Sequence, residues 1–218
     1  MIKNLIWDLD GTLFDTYPAF IAAFVDACAT FGAQVDPAHV EALVRIDMGT
    51  CVSGLSQELG VSEDELGNQF DVFYKAYGMA KQAPFPGLID VLDYVRSIGG
   101  VNAIITHRRA ETTAQILDLH QLADRFVDRI TGDDGYPRKP APAAFIAMRD
   151  RHGFRPEETL CIGDRDIDTL AAHGAGLRAC IYGAPEAAEP DLVVTDYADL
   201  LAYLQQEAQP VPGDTPNG

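Results

Sequence analysis

The sequence predicts an α/β fold, with a parallel sheet as its core and an all-helical segment inserted after the first strand. Three observations indicate this fold. A short apolar run, residues 2–7, ends in an Asp-Leu-Asp-Gly turn; residues 16–83 show helical spacing and no convincing strand; and short apolar strands alternate with amphipathic helices from residue 88 onward. Such alternation is typical of a parallel sheet that is covered by helices on both faces. A chain of 218 residues can form one such core together with an insertion.

The first strand is predicted from Ile2, Leu5, Ile6 and Trp7, because a parallel strand that is covered by helices is buried on both faces. In the insertion, apolar residues recur at helical spacing over 18–31 and predict the first helix. A second helix starts at Asp36-Pro37, because aspartate caps a helix and proline fits its first turn. The capping box Ser62–Glu65 opens a third helix. Gly49 and Thr50 fall in the stretch between the last two, which we expect to be irregular.

The rest of the chain follows the strand–helix alternation of a Rossmann-like core. Helices are predicted over 88–98, 110–119, 141–151, 166–173 and 199–204, and strands over 101–105, 126–130, 160–162, 177–181 and 192–194. The sheet-containing core is therefore expected over 1–15 and 84–205, and a helical cap over 16–83. Residues 206–218 are rich in proline, glycine and polar side chains, which predicts a disordered tail.

The composition and charge of the chain indicate which binding partners and which cellular setting are to be expected. The formal net charge of −17 disfavours nucleic acid, because such a field repels phosphate backbones. No apolar stretch near the N-terminus is long enough to span a bilayer, so we expect no membrane segment. The four cysteines lack zinc-site spacing, and two lie in apolar runs, which favours reduced thiols and a cytoplasmic setting. Nothing in the sequence requires an obligate protein partner.

Two carboxylates end the first strand. Asp8 and Asp10 are two residues apart in an extended segment, so their side chains point the same way. Two close anions repel each other unless a cation lies between them or one takes up a proton. The pattern therefore suggests a hard divalent metal such as Mg²⁺, held by oxygen ligands. The alternative is an acidic turn, which Asp and Gly favour without any ligand.

Polar residues end or follow three further strands. Thr106 ends one strand before a helix, Lys139 lies in a loop before another helix, and Asp164 ends a third strand, four residues before Asp168. Each has a plainer interpretation: a threonine N-cap, a solvated lysine, or acidic residues that stabilise a helix N-terminus. Their recurrence at the strand ends of one alternating fold favours a shared site.

On these motifs the sequence resembles the haloacid dehalogenase superfamily of phosphatases and phosphotransferases, in the branch with a helical cap. The resemblance covers nearly the whole chain, and it is greatest to phosphoglycolate phosphatase-like and β-phosphoglucomutase-like enzymes. It implies that Asp8 is the nucleophile and forms an aspartyl-phosphate, and that Asp10 is the general acid and then the base. It also implies that Thr106 and Lys139 bind the transferring phosphoryl group of a small phosphorylated substrate.

The same resemblance implies Mg²⁺ as cofactor. Its ligands would be the Asp8 carboxylate, the Asp10 backbone carbonyl and Asp164, with Asp168 binding it directly or through water. A magnesium-dependent phosphatase is therefore expected. The alternatives are a β-phosphoglucomutase-like phosphotransferase and, more remotely, a metal-binding regulatory protein without turnover.

The sequence departs from the family pattern at two places. Where many members have asparagine after the motif threonine, this chain has His107 and Arg108, which we expect near the non-reacting end of the substrate or at a solvated helix start. The Glu-Asp pair typical of β-phosphoglucomutases is replaced by Gly163-Asp164, which favours a hydrolase. In the cap, Gly49 and Thr50 are candidates for substrate contacts. Three further basic residues of the cap are candidates for contact with a substrate anion, with exposed helix charges as the plainer interpretation: Arg45, Lys75 and Lys81.

Overall fold

The computed structural model describes residues 1–208 and confirms the α/β class. One sheet of six parallel strands has the order β3-β2-β1-β4-β5-β6. The strands are β1 (Asn4–Trp7), β2 (Val101–Ile105), β3 (Phe126–Ile130), β4 (Thr159–Gly163), β5 (Arg178–Tyr182) and β6 (Leu192–Val194). The helices are α1 (Tyr17–Thr30), α2 (Pro37–Ile46), α3 (Met48–Leu59), α4 (Glu63–Tyr77), α5 (Leu88–Ser97), α6 (Ala110–Leu119), α7 (Ala143–His152), α8 (Asp166–Gly174) and α9 (Tyr197–Glu207). Three short 3₁₀ turns cover Met79–Lys81, Ala123–Arg125 and Pro156–Glu158.

The chain divides into two compact units. One consists of Met1–Leu13 together with the chain from Pro84 onward, and contains the whole sheet. The other, Phe14–Ala83, contains α1 to α4 and corresponds to the predicted cap, with its first boundary two residues earlier than expected. Its two ends lie side by side, because Asp15 N donates a hydrogen bond to Ala83 O at 3.0 Å.

The two faces of the sheet are covered by different helices. On one face, strand residues such as Ile6 and Ile105 pack with Phe145 and Met148 of α7 and with alanines of α8. On the other face, the ring of Trp7 contacts Tyr197 of α9, and its Nε1 donates a hydrogen bond to Asn102 Oδ1 at 3.0 Å. Because side chains alternate along a strand, each strand of the middle of the sheet contributes to both layers.

The helical unit has its own aromatic core. Phe24 and Phe70 stack with ring centroids 4.3 Å apart, which joins α1 to α4. The predicted caps are present: Asp36 accepts a hydrogen bond from Ala38 N, and Ser62 forms the capping box with Glu65.

The expectation of an irregular stretch around Gly49 and Thr50 is wrong, because both residues lie in the first turn of α3. Asp47 caps this helix, since its side chain accepts hydrogen bonds from Thr50 N and Thr50 Oγ1 at 3.0 and 2.7 Å. Gly49 and Gly54 lower the intrinsic helix propensity of α3. Burial of Cys51 and Leu55 in the core of the unit stabilises the helix in spite of them.

Several boundaries differ from the sequence prediction by two or three residues. Helix α7 begins at Ala143, because Pro142 occupies its N-cap position. Helix α9 begins at Tyr197 under an Asp196 cap and continues to Glu207, so it includes two residues assigned to the tail. The remainder of the predicted tail, residues 209–218, lies outside the described residues. In residues 1–208, none of the helices combines the length and the apolar character that crossing a bilayer requires.

Candidate active site

The strand order places three loops at one edge of the sheet. Strand β1 pairs with β2 on one side and with β4 on the other. Strands β2 and β3 therefore extend the sheet in one direction from β1, and strands β4 to β6 extend it in the opposite direction. In open α/β sheets, ligand sites lie at the carboxyl ends of the strands next to such a reversal. Here those ends carry Asp8 after β1, Thr106 after β2 and Asp164 after β4. The backbone holds the first two, since Asp8 N donates to Ile162 O at 2.8 Å and Thr106 N to Ile130 O at 3.0 Å.

A buried lysine lies between two buried carboxylates. Lys139 Nζ donates hydrogen bonds to Asp8 Oδ1 and to Asp168 Oδ1, both at 2.6 Å. Only 1% of the lysine side chain is exposed, so its charge is screened by these partners rather than by water. Asp168 is held in turn, because its Oδ2 accepts a hydrogen bond from Arg165 N at 3.2 Å.

Burial and charge set the protonation of this cluster. Burial raises the pKa of Asp8 to about 6, although the positive charge of Lys139 opposes that shift. For Lys139, burial works to lower the pKa, but the charges of Asp168 and Asp8 outweigh it and raise the pKa above its ordinary value. The lysine therefore stays charged, and a further cation beside Asp8 would lower the pKa of that carboxyl group.

The carboxylates at this edge fit a hard divalent cation. Asp8, Asp164 and Asp168 each offer one oxygen, and these oxygens lie within 4.8 Å of one another. The other oxygen of Asp8, Oδ2, is buried and accepts no hydrogen bond from the residues that the structure describes. A buried carboxylate oxygen without a donor is costly unless a cation or a ligand binds it. Oxygen donors of this kind are those that Mg²⁺ prefers.

A glycine makes room for this arrangement. A Cβ atom added at Gly163 would lie 2.3 Å from Cβ and Cγ of Asp168, which is too close for any side chain. Gly163 therefore lets the Asp168 carboxylate lie against the end of β4 and reach Lys139.

Asp10 belongs to a second ion pair. Arg108 Nη2 donates to Asp10 Oδ1 at 2.7 Å, and Arg108 Nε lies 3.2 and 3.3 Å from the two carboxylate oxygens. The arginine side chain is 6% exposed and that of Asp10 24%. Two-point contact with a planar guanidinium fixes the orientation of a carboxylate. The sequence suggested that Arg108 lies near the substrate or at a solvated helix start, and it did not reveal this pair, because the two residues are 98 positions apart.

The loop after β2 is tied to the loop that carries Lys139. His107 Nε2 accepts a hydrogen bond from Lys139 N at 2.9 Å, and Thr106 Oγ1 accepts one from Arg108 N at 3.1 Å. Burial, together with the charges of Lys139 and Arg138, lowers the pKa of His107 to about 3. The imidazole is therefore neutral, and Nδ1 carries its proton because Nε2 accepts. Because Thr106 Oγ1 acts as an acceptor in this contact, its hydroxyl proton stays available for another acceptor.

Most of the residues singled out from the sequence thus lie together at one edge of the sheet. Lys139 joins Asp8 and Asp168, and Asp164 completes the carboxylate group; Asp10 pairs with Arg108 in the same unit. The candidates from the cap belong to the other unit. Thr50 is engaged in the helix cap described above. Arg45 pairs with Glu41 at 2.9 Å and lies 4.4 Å above the ring of Tyr17.

Comparison with protein families matches residues 5–182 to the family described as haloacid dehalogenase-like hydrolase. Phosphoglycolate phosphatase 1 of Pseudomonas aeruginosa is 32% identical over an alignment 223 residues long, which spans 95% of this chain and 81% of that protein. The phosphoglycolate phosphatase of Vibrio vulnificus is 33% identical over an alignment 219 residues long, which spans 92% of this chain and 95% of that protein.

Solved structures agree on the fold. A protein named as a predicted phosphoglycolate phosphatase, from Haemophilus somnus, superposes with a TM-score of 0.81 at 24% identity and covers 94% of this chain and 98% of its own. A protein from Thermotoga maritima that carries the assignment β-phosphoglucomutase superposes with a TM-score of 0.80 at 19% identity, over 94% and 99% of the two chains.

Proposed function

Because the chain belongs to the haloacid dehalogenase-like hydrolase family, we propose that it is a magnesium-dependent phosphatase that hydrolyses a small phosphorylated metabolite. The observation that carries the proposal is the buried group of Asp8, Lys139 and Asp168, in which one oxygen of Asp8 has no donor. Its relatives of 30% identity and above, named phosphoglycolate phosphatases, support the same chemistry. The four cysteines are free and buried, which accords with a cytoplasmic enzyme.

In the proposed reaction, Asp8 Oδ2 attacks the phosphorus atom of the substrate, and the bond from phosphorus to the alkoxide oxygen breaks. Asp10 gives the alkoxide a proton, so the alcohol leaves and the phosphoryl group stays on Asp8. Asp10 then takes a proton from water, and the water oxygen attacks the phosphorus of the aspartyl-phosphate. The bond from phosphorus to Asp8 Oδ2 breaks, which releases inorganic phosphate and restores the Asp8 carboxylate. Thr106 and Lys139 bind the phosphoryl oxygens and stabilise the charge that they carry in the transition state.

The proposed metal ligands are the carboxylates of Asp8, Asp164 and Asp168 and the backbone carbonyl of Asp10. Bound there, Mg²⁺ would neutralise the repulsion between Asp8 and the anionic phosphoryl group. Lys139 supplies a second positive charge in contact with Asp8. Asp168 holds that lysine in place.

Removal of divalent cations is expected to abolish turnover reversibly. Without the cation, Asp8 must approach a phosphate anion with only Lys139, among residues 1–208, as a positive charge in contact with it. The test measures p-nitrophenyl phosphate turnover after EDTA treatment, and again after excess Mg²⁺ is returned. Full activity in EDTA would contradict the assignment of the metal, and absence of turnover under both conditions would favour the metal-binding regulatory protein.

Replacing Asp10 with asparagine is expected to slow turnover by roughly 10²- to 10⁴-fold, the usual effect of losing a general acid or base. An alkyl phosphate should suffer more than p-nitrophenyl phosphate, because nitrophenolate leaves readily without a proton. Asp15→Asn is the matched control, since Asp15 is an exposed carboxylate nearby in the sequence. An equal loss on both substrates would indicate a role for Asp10 other than proton transfer.

The substrate class is proposed from the relatives as phosphoglycolate or a sugar phosphate. We expect a panel of phosphorylated metabolites to give the highest kcat/KM with a substrate of one of these two kinds. The mutase alternative is separated by the products from β-glucose 1-phosphate: inorganic phosphate supports the phosphatase, and glucose 6-phosphate supports the phosphotransferase. Gly163-Asp164 in place of the Glu-Asp pair favours the former. The likeness to the Thermotoga maritima protein concerns the fold alone.

A further inference from the structure

A cavity of about 310 Å³ opens at the β3 side of the sheet. It is bounded by the loop after β2 (106–109), the loop after β3 (131–139) and the start of α7, and we call it the rear cavity. Thr106 and Lys139 contribute to its wall, but the carboxylates of Asp8, Asp164 and Asp168 do not. The cavity therefore adjoins the proposed phosphoryl-binding residues but includes none of the proposed metal-binding carboxylates in its wall. Its volume is at the lower end of the range of small-molecule sites.

Two arginines line the rear cavity without any acidic partner. Within residues 1–208, the guanidinium groups of Arg109 and Arg138 donate no hydrogen bond and form no ion pair, and both residues are exposed. Arg125 and Arg151, by comparison, bind the carboxylates of Asp93 and Asp128. Unpaired guanidinium groups around one cavity form a natural site for an anion.

Part of the remaining wall of the rear cavity is apolar. Ile105, Ile130 and Ala144 line it, and they also belong to the core between the sheet and α7. One carboxylate, that of Asp133, lines the cavity as well, but its Oδ2 accepts a hydrogen bond from Ala110 N at 2.8 Å at the start of α6. The two arginines and the lysine thus outnumber the single acidic side chain of the wall.

We propose that the rear cavity is a second ligand site, which binds a small organic anion with an apolar or aromatic body. Arg109 and Arg138 would bind the anionic group, and Ile105, Ile130 and Ala144 would contact the body. An occupant would touch both loops that carry the proposed phosphoryl-binding residues, including the ring of His107 that holds Lys139 N. Thr106 and Lys139 border both sites, but Arg109 and Arg138 have no role in the proposed phosphatase reaction, so the proposal does not rest on that activity.

The test uses benzoate and phenylphosphonate as probes, with benzamide as the neutral control, on the full-length protein loaded with Mg²⁺. Methyl resonances of Ile105, Ile130 and Ala144 report binding in the rear cavity, and they are followed in wild type and in Arg109→Gln/Arg138→Gln. Arg96→Gln is the matched control, since Arg96 is exposed at the end of α5 and its side chain has no bonded partner among the described residues.

We expect at least one anionic probe to shift these methyl resonances in a saturable manner, and benzamide to leave them unchanged. Each lost charge-assisted contact should weaken binding about tenfold, so the double variant should bind roughly 100-fold more weakly. A response to benzoate alone assigns a carboxylate ligand, and a response to phenylphosphonate alone assigns a phosphoryl ligand. The proposal is overturned if neither anion shifts the three residues, or if the double variant binds as tightly as Arg96→Gln. Turnover of p-nitrophenyl phosphate by each variant shows separately whether the proposed phosphatase holds.

Discussion

Asparagine in place of Asp8 is expected to abolish turnover of p-nitrophenyl phosphate, with kcat reduced by roughly 10⁴-fold or more. The amide has nearly the same size as the carboxylate, so the fold should persist, but its oxygen is too weak a nucleophile to form the aspartyl-phosphate. The loss follows from the position of Asp8, whose Oδ1 binds Lys139 while its buried Oδ2 has no donor within residues 1–208. Steady-state kinetics with saturating Mg²⁺ measure the effect.

Asp118→Asn is the control for this substitution, because Asp118 is an exposed aspartate of α6. Circular dichroism and thermal unfolding of both variants show whether the loss of activity accompanies a loss of structure. Wild-type kcat in a folded Asp8→Asn variant would exclude Asp8 as the nucleophile.

Lys139→Met is expected to lower both activity and stability. Removing the ammonium leaves Asp8 and Asp168 as close, buried carboxylates without their shared partner, and loss of one member of a buried ion pair typically costs roughly 3–5 kcal/mol. Loss of one preorganised donor to a phosphoryl group should lower kcat by roughly 10²- to 10³-fold. Kinetics and urea unfolding, both in the presence of Mg²⁺, measure the two effects.

A second substitution separates the two roles of the lysine. In Lys139→Met/Asp168→Asn, one of the two stranded charges is removed, so part of the free energy of unfolding should return while activity stays low. Lys75→Met, on the exposed surface of α4, should change neither quantity. A Lys139→Met variant as stable and as active as Lys75→Met would contradict the assigned ion-pair cluster.

Local signals predicted most of the fold, and the one helix that they missed has a physical explanation. Asp36-Pro37 and Ser62–Glu65 start helices by contacts within a few residues, so the sequence reveals them. The start of α3 carries a comparable cap at Asp47, but Gly49 and Gly54 lower its intrinsic helix propensity. Packing of Cys51 and Leu55 against the other helices of the unit outweighs that propensity, and such tertiary burial is not visible in a short window of sequence.

For the candidate site, too, the sequence predicted one part and not another: it indicated which residues belong to the site, but not which of them form pairs. The identity of its polar residues followed from strand ends and from the family resemblance, because the carboxyl ends of parallel strands meet at one edge. The pairings did not follow, since Lys139 lies 131 residues from Asp8 and 29 from Asp168 in sequence. The contact of Arg108 with Asp10 and that of His107 with Lys139 N likewise depend on which loops the sheet brings together.

Trapping the covalent phosphoenzyme tests whether Asp8 is the centre of a phosphoryl-transfer site. The Asp10→Asn variant, which should form the aspartyl-phosphate faster than it hydrolyses it, is mixed with p-nitrophenyl phosphate and Mg²⁺, quenched in acid, and mapped by peptide mass spectrometry. The account predicts one phosphoryl group on the peptide that contains Asp8, labile to base and absent from the Asp8→Asn/Asp10→Asn variant. A phosphoryl group on a different residue, or its persistence when Asp8 is replaced, would contradict it.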